Sequence, residues 1–243
     1  MEKLLIIPTY NEKENVALIL EAVFSLQQGF QVLVIDDGSP DGTANIVRNL
    51  FDTYPEQLFL EERIGKLGLG TAYIHGFKWA LDRGYRFIFE MDCDFSHNPA
   101  DLDRLYNACK SGGGDVAVGS RYVEGGKVEN WPAIRIGISK GASIYTRLIT
   151  AMPVKDPTAG FICYKADVLR AINLDKIVFV GYAFQIEMKF LAYKYGFKIK
   201  EVPIIFTDRT KGESKMSKGI IQEAFYGVFR MKVDSYFRKF DRS

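Results

Sequence analysis

Residues 30–49 read FQVLVIDDGSPDGTANIVRN, and this stretch decides the fold. An almost unbroken apolar run meets two aspartates, then a turn rich in Gly, Ser, Pro and Asp, then a helix-like segment. Continuous rather than alternating hydrophobicity marks a strand buried on both faces, as in a parallel sheet covered by helices. The same unit recurs on either side. KLLIIP (3–8) precedes NVALILEAVFSLQQ, LFLEER (58–63) precedes TAYIHGFKWALDRG, RFIFEMD (86–92) precedes PADLDRLYNACK, and DVAVGSR (115–121) follows. The predicted class is α/β: a doubly wound, mostly parallel sheet flanked by helices in one domain.

In such sheets ligands bind beyond the carboxyl ends of the strands. The residues there are Pro8, Thr9, Tyr10, Asn11 and Glu12; Asp36, Asp37, Gly38 and Ser39; Asp92, Cys93 and Asp94; Ser120 and Arg121. Any one of these stretches reads equally well as a turn, because Asp, Asn and Gly favour turns. Several on one sheet edge point to a ligand site. In the extended MDCD (91–94), residues two apart face the same way, so Asp92 and Asp94 address one region while Cys93 turns aside. Two carboxylates completed by water and phosphate are a usual Mg²⁺ or Mn²⁺ site.

The bulk numbers exclude several classes. A net charge of +2 over 243 residues gives no basic excess for nucleic acid. Cys93, Cys109 and Cys163 lack paired spacing, which argues against a disulfide framework or zinc site and fits a reducing cytosol. The first apolar run is too short for a signal peptide, and no stretch approaches the roughly 18 apolar residues of a membrane span. PTYNE stands where a dinucleotide fold needs G-x-G-x-x-G. In GKLGLGTA (65–72) Thr71 stands where a phosphate loop needs lysine.

The second half is expected to complete the site: a helix in GISKGASIYTRLITAM, a hairpin or strand in DPTAGFICYKADVL, a helix in YAFQIEMKFLAYKYG, and a strand in KIKEVPIIFTDR with Pro203 at an edge or bulge. Arg135, Lys140, Arg209, Lys211 and Lys215 supply local positive charge. In residues 217–243 Ile221, Phe225, Phe229, Val233, Phe237 and Phe240 recur at three- or four-residue spacing beside Arg230, Lys232, Arg238 and Lys239. Such a basic amphipathic helix suits a membrane surface, with packing on the domain (1–216) or on a membrane-anchoring partner subunit as the alternative.

Taken in order, PTYNE (8–12), IDDGSPDGT (35–43), MDCDFSH (91–97), GSRY (119–122), GYAFQIEM (181–188) and DRTKGESK (208–215) resemble the polyprenyl- and dolichyl-phosphate mannose synthases, inverting family 2 glycosyltransferases of GT-A fold. The likeness covers about residues 3–220. It implies transfer of mannose from GDP-mannose to a polyprenyl phosphate at a cytoplasmic membrane face. It places Pro8, Tyr10, Glu12, Ile35 and Asp37 around guanosine, and Asp92, Cys93 and Asp94 at the ribose, diphosphate and Mg²⁺ or Mn²⁺. Asp94 would be the principal metal ligand. Arg121, Arg209 and Lys215 would hold phosphate and sugar, and Arg135 and Ser139 the acceptor phosphate. Ser96 stands where some members carry a glutamine ligand, leaving that place to water. Gln185 and Glu187, two apart on a helix, cannot share a face, and Gln185 is assigned to the sugar. A UDP-glucose-dependent polyprenyl-phosphate glucosyltransferase and a non-catalytic nucleotide-sugar-binding subunit are the competing readings.

Overall fold

The computed structural model describes residues 1–209 and 218–240. Its main sheet has seven strands in the order β3-β2-β1-β4-β7-β5-β8. These are β1 (Lys3–Thr9), β2 (Gln31–Asp36), β3 (Leu58–Glu62), β4 (Phe87–Glu90), β5 (Val116–Ser120), β7 (Ile162–Lys165) and β8 (Ile199–Pro203). The five N-terminal strands lie where the apolar runs predict them, and the pairs among β1 to β4 are parallel, with Thr9 beside Asp36 and Ile6 beside Glu90. Alternate side chains feed two cores. Leu4, Ile6, Leu33 and Ile35 face α3 (Leu69–Asp82) and α7 (Tyr182–Lys194), while Leu5, Ile7, Val32 and Val34 face α1 (Val16–Ser25) and α4 (Leu102–Lys110). Burial on both faces is the physical content of the unbroken runs.

Two departures from the predicted pattern build the site. Strand β7 is antiparallel to both β4 and β5, with Ile162 opposite Glu90 and Val118. The loop before β7 therefore reaches the sheet edge at which β1, β2, β4 and β5 end. The predicted strand 198–209 is two strands. After Pro203, which pairs with Ser120, the chain leaves the main sheet and forms β9 (Ile205–Thr207). Strand β9 pairs in parallel with β6 (Lys127–Glu129), an unpredicted strand, and carries Asp208 and Arg209 to the same edge.

Helices α2 (Thr43–Asn49) and α6 (Ala166–Ala171) complete the flanks. Helix α5 (Ala133–Thr150) begins earlier than predicted, and α8 (Lys218–Asp234) stops before the predicted end, leaving Phe237 and Phe240 beyond it. Gly227, Val228 and Met231 of α8 are buried, and the latter two share an apolar cluster with Phe179, Ile186 and Phe190. The predicted stripe points elsewhere: Phe229 is 59% and Phe237 87% exposed. Phe240 packs edge-on to Tyr195, and the side chains of Ile221 and Phe225 lie outside the described residues.

Candidate active site

Beyond β4, Met91 and Cys93 turn into the apolar core, leaving the aspartates at the edge. The Asp94 carboxylate is buried. One oxygen accepts the Ser96 N–H at 3.1 Å and the Ser96 hydroxyl, and the other meets the Arg209 guanidinium at 3.0 Å. Phe95 makes the tight return possible by adopting φ 59°, a costly conformation for an aromatic residue and the kind of strain that collects at functional sites. Behind this loop His97 stacks on Phe161 and lies 3.4 Å from the Asp92 amide through Nδ1. Burial lowers its pKa to about 4, with Asp94 opposing and Arg121 reinforcing, so the ring is neutral.

Arg121 sits just past β5 in a fork made by Asp156. Two guanidinium N–H groups donate to Asp156 at 2.7 Å each, and the Arg121 amide donates at 3.0 Å. Thr158 accepts a further bond at 2.9 Å. Burial alone would raise the Asp156 carboxyl, but the bonds and charge of Arg121 hold it below its ordinary range. Asp156 is itself positioned, because Glu201 accepts the amides of Lys155 and Asp156 at 2.8 and 2.9 Å. The fully buried Lys189 ammonium donates to the Ala159 carbonyl at 2.6 Å and to the Gln185 carbonyl at 3.0 Å.

Asp208 and Arg209, consecutive in the chain, join two parts of the edge. Arg209 pairs with Asp94, and Asp208 accepts from Arg135 of α5 at 2.9 Å. The Arg135 guanidinium lies over Trp131, 3.8 Å from the ring centre. One turn along α5, Ser139 accepts the Tyr122 hydroxyl at 2.7 Å. Lys211 and Lys215 lie outside the described residues.

At the other end, Pro8 and Thr9 close β1, and the Thr9 hydroxyl donates to Asp36 at 2.8 Å. Tyr10 has the Lys66 ammonium 5.1 Å from its ring centre, and Glu12 is buried, accepting from Asn15. Asp37 is held by Arg63 at 2.7 Å and by the Leu67 amide at 3.3 Å. Ile35 packs its side chain fully into the core, so at this edge β2 offers aspartates rather than an apolar wall. Gln185 donates to Glu90 at 2.7 Å beneath the DxD turn, and burial raises Glu90 to about 8 despite that bond. Glu187 instead accepts the amides of Val178 and Phe179, each at 3.0 Å. The two α7 residues thus serve different neighbours, as their spacing requires.

The family described as Glycosyl transferase family 2 matches residues 4–172, more than half of the chain and most of this edge. The chain belongs to that family. Polyprenol monophosphomannose synthase of Mycolicibacterium smegmatis is 46% identical over 93% of this chain and 84% of its own length. Undecaprenyl-phosphate mannosyltransferase of Micrococcus luteus is 46% identical over 95% and 93%. Dolichol-phosphate mannosyltransferase of Pyrococcus furiosus is 38% identical over 95% of this chain and 64% of its own length, so this chain spans less than two thirds of that relative. A crystal structure of a mycobacterial protein superposes with TM-score 0.69 at 14% identity, covering 95% of this chain and 74% of that one. The mannosyltransferase PcManGT of Pyrobaculum calidifontis, solved with GDP-Man and Mn²⁺, gives 0.55 at 14% identity, covering 96% and 73%. At such identity the likeness shows the fold, which is that of GT-A glycosyltransferases.

Asp92 and Asp94 fit a hard divalent ion. Both offer oxygen alone, Cys93 is turned away, and Asp94 already faces a cation, Arg209. Among the described residues no three His, Cys, Asp or Glu side chains gather into a closed cage, so remaining ligands would come from phosphate and water. Sequence reasoning missed Arg63, Asp156, Lys189 and Glu201. Arg63 had a signal, since it ends LFLEER as the aspartates end their own runs.

Proposed function

We propose that this glycosyltransferase moves mannose from GDP-mannose to the phosphate of a polyprenyl or dolichyl phosphate, inverting the anomeric carbon. The observation that carries the reading is the Asp208–Arg209 step, which joins the DxD carboxylate to Arg135 on α5. That link supports a reading in which a metal-bound donor diphosphate at Asp94 would lie beside a cation suited to a second phosphate. The 46% identical relatives with polyprenol-phosphate names support the same choice of acceptor.

A phosphate monoester carries nearly two charges at neutral pH, its second pKa being about 6, and needs no side-chain base to attack. The protein's work is then placement and charge. Tyr10, Glu12, Asp37 and Arg63 receive the nucleoside, Gln185 lies beneath the sugar, and Arg135 with Ser139 orients the acceptor phosphate. As the new phosphate oxygen–carbon bond forms, the bond to GDP breaks on the opposite face. Arg209, Lys215 and the Asp156-held Arg121 stabilise the departing diphosphate. A divalent ion bound by Asp94 and Asp92 would add Lewis-acid charge to that diphosphate.

The acceptor is a lipid, and no helix among the described residues is long and apolar enough to cross a membrane. A surface is available for a peripheral mode. Helix α5 exposes Ile134 (76%), Ile138 and Leu148 (78%), and the neighbouring α8 exposes Phe229 and Val233. Exposed apolar side chains beside Lys140, Arg147 and Lys232 suit an anionic lipid interface, with Arg135 and Ser139 on the same helix α5.

Thermal unfolding with Mn²⁺ and a nucleoside diphosphate tests the donor. At a hundredfold excess over Kd, GDP should stabilise by about 2.7 kcal/mol, a rise of about 5–10 °C for a chain this size. A larger rise with UDP would favour the glucosyl donor instead.

A further inference from the structure

Glu187 lies in the stretch of α7 from 183 to 192, every residue of which is buried, and the mechanism above gives it no task. Its carboxylate takes the N–H groups of Val178 and Phe179, at 3.0 Å each. The next residue, Val180, accepts the Gly70 N–H at 2.8 Å. That contact is close: a Cβ on Gly70 would meet the Phe179 carbonyl at 3.0 Å, and one on Gly68 would meet the Val180 carbonyl at 3.3 Å. Gly68, at φ 100°, in turn accepts the Thr71 hydroxyl, while Thr71 and Leu67 touch the Arg63–Asp37 pair. Hydrogen bonds joined by short backbone steps therefore run from Glu187 through 178–180 and the glycine-rich 65–70 turn to Asp37. The segment is also fixed from α8, where a Cβ on Gly227 would lie 2.6 Å from the Phe179 ring.

We infer that Glu187 is a positioning residue for the nucleotide: it holds residues 178–180 as a strap that sets the 65–70 turn, and with it Arg63 and Asp37, in place for the base. The inference rests on the donor side of the proposed function. It accounts for a buried carboxylate in GYAFQIEM without giving it a proton-transfer role. It also gives a reason for two of the glycines in a turn that is not a phosphate loop: Gly68 adopts φ 100° against the Val180 carbonyl, and Gly70 lies where a Cβ would meet both the Phe184 ring of α7 and the Phe179 carbonyl.

The test uses the full chain with Glu187→Gln, which keeps one acceptor oxygen, Glu187→Leu, which keeps none, and Gly227→Ala, which crowds Phe179 from α8. Amide hydrogen exchange is followed in the peptide spanning 64–72, and GDP affinity is measured with Mn²⁺. The strap predicts faster exchange at 64–72 in the order Leu, Gln, wild type. It predicts GDP binding weakened about two- to thirtyfold with the acceptor KM unchanged, a usual range for coupling through a packed network. Gly227→Ala should do the same, and it decides the matter if Glu187→Leu does not fold. Faster exchange confined to 178–179 and α7, with 64–72 and GDP affinity unmoved, would overturn the inference and leave Glu187 a purely local tie. Wild-type protein indifferent to GDP would instead overturn the donor reading, and exchange at 64–72 alone would then decide whether the strap exists.

Discussion

Asp156 shows how one carboxylate can fix a buried cation at the edge of the sheet. With three bonds to Arg121, and Arg121 itself buried, its removal strands a guanidinium. Breaking a buried pair of this kind costs about 3–5 kcal/mol. Asp156→Asn should lower the unfolding free energy by roughly that much, and kcat should fall about 10–100-fold, as when an outer-shell partner is lost elsewhere. Denaturant titration and steady-state rates check both. Lys189 gives a pH test. Burial lowers its pKa from 10.5 to about 8, against the charges of Glu90 and Asp156. Between those values the unfolded chain binds more protons than the folded one, so this group adds stability as pH rises from about 8 toward 10. The unfolding free energy of the wild type should gain steadily on that of Lys189→Met over this range. Parallel profiles would mean that the ammonium is not desolvated as described.

Helices α5 and α8 present their side chains in a way the apolar spacing alone could not settle. Periodicity located a stripe in 217–240, yet packing uses Val228 and Met231, and the stripe residues Phe229 and Val233 face outward. Phe229→Asp with Phe237→Asp should therefore leave stability within about 0.5 kcal/mol, as exposed substitutions do. Recovery on anionic vesicles should fall about tenfold or more, given about 1.5–3 kcal/mol per buried aromatic side chain. A loss of stability with unchanged vesicle binding would show that this face packs on protein. The strands β1 to β5 were legible because burial on both faces leaves an unbroken apolar run. The reversed direction of β7 was not, since four residues, ICYK, carry no mark of which way they will pair. The split after Pro203 was half legible: proline signalled a break, but the second sheet depends on Lys127–Glu129, too short for any periodicity.

On the scale of the whole molecule, the site is the product of that topology. Strands β1 and β4 are neighbours although far apart in sequence, and their ends set PTYNE beside MDCD at the point where the strand order turns. That much follows from strand-end residues, and Arg63 follows by the same rule. Asp156 and Glu201 do not, because Asp156 meets Arg121, and Glu201 the 155–156 amides, only once β7 runs backwards and β8 lies beside β5. Lys189, set within the apolar neighbours of MKFLA, was a visible oddity, but its partner carbonyl at Ala159 was not. One assay bears on donor, metal and acceptor together: radiolabelled GDP-mannose or UDP-glucose incubated with polyprenyl phosphate vesicles, with Mn²⁺ or with chelator, for wild type and Asp94→Asn. Mannose is expected in the lipid phase as the inverted, β-linked phosphodiester, lost with chelator and nearly lost in a folded Asp94→Asn. Glucose transfer in its place, or mannose transfer indifferent to chelator and to Asp94, would contradict the proposed function.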